Sequence, residues 1–193
     1  MKYWTKNRVA WQLLAVGAFV GLLIGLYGTV DIPFPALFGG PGVVTPIANL
    51  APLLLAISAS WSLGRSYQSA EQRAVRSVRA LDVGHFAFAL AILVAGGLIF
   101  SKYPELFYSG MRNSIGFLGL VLVSSALLTA NVASAVAATW VFVTVFFGST
   151  YGGYYFWAWN LKEAGDLSSW VIAFMLLAAG AVAYLWWPNA RRK

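Results

Sequence analysis

Residues 114–159 read SIGFLGLVLVSSALLTANVASAVAATWVFVTVFFGSTYGGYYFWAW, an uninterrupted apolar stretch. A helix rising about 1.5 Å per residue needs roughly 20 residues to cross about 30 Å of hydrocarbon, so the stretch is too long for one crossing and long enough for two. Its most polar midpoint is Thr129-Ala130-Asn131, which divides it into spans of about 114–129 and 132–147. Outward from there lie four further runs of similar length: about 169–187 towards the C-terminus, and about 83–100, 43–63 and 11–30 towards the N-terminus. A turn rich in Pro33, Pro35, Gly39, Gly40 and Pro41 separates the first two. All these runs are apolar on every face, whereas strands of a membrane barrel alternate apolar and polar side chains. The sequence predicts an all-α, polytopic integral membrane protein: six transmembrane helices in a single domain, 1–193.

Composition agrees. Of 193 residues, 60% are hydrophobic and 10% charged, with a mean hydropathy of +0.74; soluble domains carry roughly 25% charged residues. The absence of cysteine excludes disulfides, thiolate metal sites and cysteine nucleophiles, and one histidine leaves little for a histidine-ligated metal. No G-x-S-x-G elbow, H-E-x-x-H helix or phosphate-binding glycine loop occurs. Neither an enzyme activity nor a cofactor is expected.

Basic residues set the orientation, because cytoplasmic flanks carry the positive excess. One side collects ten: Lys2, Lys6, Arg8, Arg65, Arg73, Arg76, Arg79, Arg191, Arg192 and Lys193. The other has three, Lys102, Arg112 and Lys162. Six spans and this split place both termini in the cytoplasm. The net charge of +7 is then accounted for by topology, and no nucleic-acid partner is expected. The first run also follows basic residues as a signal peptide would. It is too long for one, and it ends in Gly28-Thr29-Val30-Asp31 without a small-x-small cleavage pattern, so it reads as a retained helix.

Small and polar residues inside the spans mark candidate contacts. Gly17, Gly21 and Gly25 recur every four residues on one face of the first span, which should pack closely on another helix. The partner helix belongs either to this chain or to a second copy. His85 lies about one turn inside the third span, with Asp82 three residues earlier on the same face. The pair reads as a proton-handling element or, more blandly, as an interfacial histidine bonded to a nearby carboxylate or carbonyl. Asn49 and Asn131 likewise either line a polar pathway or bond across helices.

The connection 64–82 is the most structured stretch predicted outside the membrane. Ser69-Ala70-Glu71-Gln72 offers a capping box, so a short helix is expected from about Ala70. Arg73, Arg76 and Arg79 then share one side, and Val75, Val78 and Leu81 another. Such a helix either lies on anionic headgroups or presents a surface to a cytoplasmic partner.

With that segment in view, the chain resembles the small six-span membrane subunits of bacterial ATP-binding-cassette exporters of the drug and bacteriocin type, in which the ATPase is a separate polypeptide. In that family a short helix between spans two and three, with a glutamate near its start, docks on the ATPase. Glu71 to Asp82 occupies that place. Arg112-Asn113 leading into the glycine-spaced stretch Ser114 to Leu120, the start of the sixth span from Asp166 to Trp170 and the basic tail are also similar. Two departures stand out: there is no large external domain, and the aromatic stretch Gly148 to Trp157 stands where the family has an external re-entrant hairpin. The resemblance implies a location in the bacterial plasma membrane and a partner ATPase contacting Glu71, Arg73, Arg76 and Arg79. It further implies a second membrane subunit, identical or related, surrounding lipids, and an amphipathic or hydrophobic cargo such as a lipid, peptide or drug. The alternative is a non-transporting scaffold, immunity or auxiliary subunit of a larger membrane complex.

Overall fold

The computed structural model describes residues 10–35, 42–65 and 78–186. Glu71, Arg73, Arg76 and the expected short helix lie outside the described residues. Six helical segments are long and apolar enough to cross a membrane. The first is α1 (Ala10–Tyr27). The second runs over Ile47–Gly64 and consists of α2 (Ile47–Leu50) and α3 (Pro52–Gly64). Pro52 brings no N–H to the ladder, which splits the helix, but Ala51 keeps right-handed helical dihedrals and the two pieces continue as one span. The remaining spans are α4 (Val78–Phe100), α5 (Pro104–Leu127), α6 (Ala130–Phe147) and α7 (Leu167–Trp186).

Several boundaries differ from the sequence reading. Residues Val43–Pro46, taken above as the start of the second span, form strand β2, which pairs antiparallel with β1 (Asp31–Phe34), Phe34 opposite Val43 and Asp31 opposite Pro46. Pro46 is extended at φ −65°, ψ 147°, and the helix begins only after it. Helix α4 already takes in Val78 to Asp82, ahead of the expected start near residue 83, and there Arg79 and Asp82 find partners on α7. Helix α5 starts at Pro104, a proline suited to the first helical position, and not at Ser114. It thereby takes Arg112 and Asn113 into the bundle. The division of the long apolar stretch falls at Leu128 and Thr129, next to the predicted Thr129-Ala130-Asn131. A second small hairpin, β3 (Ser149–Thr150) with β4 (Gly153–Tyr154), follows α6. Its Gly153 has φ +146°, a conformation that favours glycine.

Contacts across the bundle fix how the spans alternate. His85 meets the Ala10 carbonyl, Arg79 the Tyr184 carbonyl, and Gly64 the side chain of Asn131. The start of α1, the end of α3, the start of α4, the α5–α6 joint and the end of α7 therefore share one end, called here the terminal end. At the opposite, hairpin end lie both hairpins and the loop 155–166, with Phe34 edge-on to Phe146 at 6.2 Å. Helix α5 is the hub: 72% of its spanning window is buried, against 17% for α7 and 22% for α4. The glycine face of α1 lies on α4 of the same chain. A Cβ at Gly17 would come within 2.8 Å of the Ala89 carbonyl oxygen, one at Gly21 within 2.6 Å of that of Leu93, and one at Gly25 within 3.1 Å of Phe100. Gly180 of α7 similarly rests on the Gly119 carbonyl of α5. Close backbone contact is what holds helices together where lipid removes any hydrophobic drive between them.

Candidate functional site

Polar side chains converge near the hairpin end of α5. Ser109, Arg112 and Asn113 occupy successive positions on one side of that helix, and all three are buried. Asn49 reaches them from α2: its Oδ1 accepts from Ser109 Oγ at 2.6 Å and from Asn113 Nδ2 at 3.3 Å. Asn113 Nδ2 also donates to the Asn160 carbonyl at 2.8 Å, and Asn160 Nδ2 donates to Thr144 Oγ1 on α6 at 2.9 Å. One connected network thus joins span two, span four, span five and the loop before span six.

Arg112 is its centre and has no exposed surface. Its Nη1 donates to the Glu163 carbonyl at 2.8 Å, and Nη2 to the Lys162 carbonyl at 2.9 Å and to Ser109 Oγ at 3.2 Å. Nε donates to Asn113 Oδ1 at 3.2 Å. Every hydrogen-bonding partner is neutral, and the carboxylate of Asp166 adds an attraction without a bond. Only a planar fork of donors holds two successive carbonyls and two side chains at once, which a lysine ammonium cannot do. The loop packs down beside this fork: the Trp159 ring sits against Gly116, where a Cβ would collide with it, and lies 5.4 Å from Phe117.

Asp166 ends the loop and caps α7. It accepts from Ser169 Oγ at 2.6 Å, from Ser168 Oγ at 2.8 Å and from the Ser168 amide at 3.3 Å, and it pairs with Lys162 at 2.9 Å. The Ser169 hydroxyl, then Lys162 and Ser168, hold its carboxyl well below the usual carboxylate range, against a smaller opposing effect of burial.

No known protein family, curated protein or solved structure matches this chain.

The candidates named from sequence separate into two groups. Asn49 belongs to the Arg112 network. Asp82, His85, Arg79 and Asn131 lie at the terminal end, roughly 27 Å away at 1.5 Å per residue from Ser109 to Leu127 along α5. There the Tyr184 hydroxyl donates to Asp82 at 2.8 Å, Arg79 Nη1 donates to the Tyr184 carbonyl at 3.1 Å, and His85 Nε2 lies 2.8 Å from the Ala10 carbonyl. These contacts staple α4 to α7 and to α1. Asn131 is exposed in the first turn of α6, against Gly64. The four candidates for a polar pathway are therefore divided between the two ends of the bundle and do not form one cluster. Ser109, Asn160 and Thr144 were not singled out from sequence. The run Arg112-Asn113-Ser114 inside an apolar region was the available signal for the cluster, whereas Asn160 finds its partners 47 and 16 residues away and gave none. Among the described residues no group of His, Asp or Glu is placed to hold a metal ion.

Proposed function

We propose that this chain is the membrane-spanning subunit of an ATP-driven exporter whose ATPase is a separate polypeptide, in the plasma membrane of a bacterium, with both termini cytoplasmic. The observation that supports the reading is the inequality of the connections at the terminal end. Between α5 and α6 stand only Leu128 and Thr129, whereas α3 and α4 are separated by residues 65–77, which include Glu71, Arg73 and Arg76. Apart from the chain ends, that stretch is the segment at this end long enough to engage a soluble partner. Arg65 and Arg79 flank it, in keeping with the positive excess of cytoplasmic connections. Hydrolysis would take place in the partner, and this chain would contribute rearrangement of its spans around a pathway shared with a second membrane subunit. Phe88 and Ile99 on α4, Phe142 on α6 and Phe174 and Met175 on α7 are exposed apolar side chains, a surface suited to lipid and to a hydrophobic or amphipathic cargo.

A second reading, a non-transporting scaffold, is favoured by the Arg112 network, because a cation closed in by four neutral partners locks spans together and is itself turned away from any pathway. The experiment that separates them is capture of the tagged full chain from membranes in mild detergent, comparing wild type, Arg76→Glu and Glu71→Ala at matched membrane expression. The exporter reading expects an ATPase to co-purify with wild type and to be reduced in both variants. Capture undiminished by either substitution, or no ATPase at all, overturns it in favour of the scaffold.

A further inference from the structure

Helix α6 has 18 residues, about 27 Å at 1.5 Å per residue, so its end at Phe147 comes near one face of a hydrocarbon layer about 30 Å thick. The chain does not leave that level at once. The Tyr155 amide donates to the Gly148 carbonyl at 2.9 Å, and Ala158 packs beside Gly148, so residues 155–158 stay level with the last turn of the helix. From there a column of rings descends along α6. Tyr155 stacks on Trp157 with centroids 5.9 Å apart and planes 9° apart, and Trp157 meets Trp140, about two turns before Phe147, nearly perpendicular at 6.2 Å. Phe147, Tyr154, Tyr155 and Phe156 are exposed, Phe156 by 73%.

Three properties select what covers this aromatic surface. Residues 147–161 carry no charged side chain, whereas Lys162 and Glu163 follow directly. Much of the backbone polarity is met inside the segment, because β3 pairs with β4, the Ala158 amide donates to the Tyr155 carbonyl and the Leu161 amide to the Ala158 carbonyl; contact with lipid demands that. The surface is also continuous with Phe142 and Phe147, exposed side chains of a span, which in a membrane face acyl chains. A soluble protein would find no charge here to set its register. We propose that residues 154–157 lie in the headgroup layer of the hairpin-end leaflet and anchor the bundle to it, lipid being the occupant of the aromatic surface. Tyrosine and tryptophan suit that layer, with an apolar body and a tip that bonds to water or to ester oxygens. The turn at Gly152 and the loop at Gly165, where a side chain would meet nothing within 4 Å, stay in water. The anchored segment runs directly into the carbonyls of Lys162 and Glu163 that hold Arg112. This placement is independent of the transport reading and of which end is cytoplasmic.

The chain has no cysteine, so a single introduced cysteine carries a nitroxide to a defined place. The test uses the full-length protein reconstituted alone into nanodiscs of phosphatidylcholine and phosphatidylglycerol, with labels on Phe156→Cys, Phe142→Cys or Gly165→Cys. Power-saturation spectroscopy then compares access to oxygen, which concentrates in lipid, with access to a water-soluble nickel chelate. The oxygen-to-nickel ratio at position 156 should exceed that at 165 by at least about threefold and stay below that at 142. A ratio at 156 equal to that at 165 overturns the proposal and leaves the surface to a soluble partner. Low access to both reagents, the mark of contact between two copies, overturns it as well, and a ratio equal to that at 142 overturns the headgroup placement. Wild type supplies a measurement free of substitution: phosphatidylcholine with a diazirine close to its glycerol ester should label the peptide containing residues 154–157, and labelling confined to the six spans counts against the anchor.

Discussion

Replacing Arg112 tests whether the hairpin end is held by a fork of hydrogen bonds or merely by apolar packing. In Arg112→Met the side-chain volume is nearly kept, but the carbonyls of Lys162 and Glu163 and the Asn113 Oδ1 lose their donor. Ser109 keeps its bond to Asn49 and is not orphaned. The buried Asn113 Oδ1 and the two part-buried carbonyls, which water reaches in part, set an upper bound of roughly 3–6 kcal/mol at about 1–2 kcal/mol each, and relief of the desolvated guanidinium returns part of that. The net expectation is a loss of about 2–4 kcal/mol. Arg112→Lys receives no such relief: the charge stays buried, while a single ammonium cannot reach both carbonyls and both side chains. It should therefore destabilise at least as much as Arg112→Met, against the ordinary ranking of conservative substitutions. Reversible unfolding in mixed micelles of a mild detergent and dodecyl sulfate, followed by tryptophan fluorescence, measures both differences. A change below about 0.5 kcal/mol in both variants, or Arg112→Lys indistinguishable from wild type, refutes the reasoning.

Gly21→Leu should cost at least about 2 kcal/mol in the same assay, because even a Cβ there meets the Leu93 carbonyl, whereas Leu22→Ala removes a half-buried side chain and should cost about 1 kcal/mol. The depressed Asp166 carboxyl contributes stability in full above the ordinary carboxylate value near pH 4 and loses it as the pH falls towards the folded-state value. A series of thermal-unfolding curves from pH 6 to pH 2 should accordingly show a shallower acid-side decline for Asp166→Asn than for wild type; equal slopes contradict the assignment. Cysteines at Gly152 and Gly165, both in open space at the hairpin end, should react with an impermeant thiol reagent on intact cells, and one at Asn131 should not. The reverse pattern inverts the proposed orientation.

The spans themselves were legible because hydrocarbon thickness imposes a minimum apolar length that few other structures share. The division of residues 114–159 was legible for the same reason, Thr129 and Asn131 being the polar residues that can close a turn. Boundaries were misread where polar groups find protein partners. Arg79 and Asp82 looked like an aqueous connection, and Arg112 and Asn113 like the edge of a span, yet each is bonded to residues from 47 to 105 positions away. Val43-Val44 continued an apolar run and gave no warning of a strand, while Pro46 was the one local sign that the helix starts later. The glycine stripe of α1 announced a close contact but not its partner, since a stripe carries no information about the surface it meets. The Arg112 network was half visible: its α5 members stand side by side in sequence, and Asn49, Thr144 and Asn160 join it only through the fold.

The cage around Arg112 is closed by carbonyls made 50 and 51 residues after it. At about 5–20 residues per second, the ribosome needs roughly 3–10 s to supply them. During that interval the newly made fourth segment holds a guanidinium with no cage, eight positions from its first residue, Pro104, where a long side chain can bend towards the headgroup region. Membrane insertion of this chain is consequently not a sequence of six independent events. The cation of the hub gains its carbonyl partners only when the loop ahead of the last helix has been made, so closure of the hairpin end has to wait for that loop.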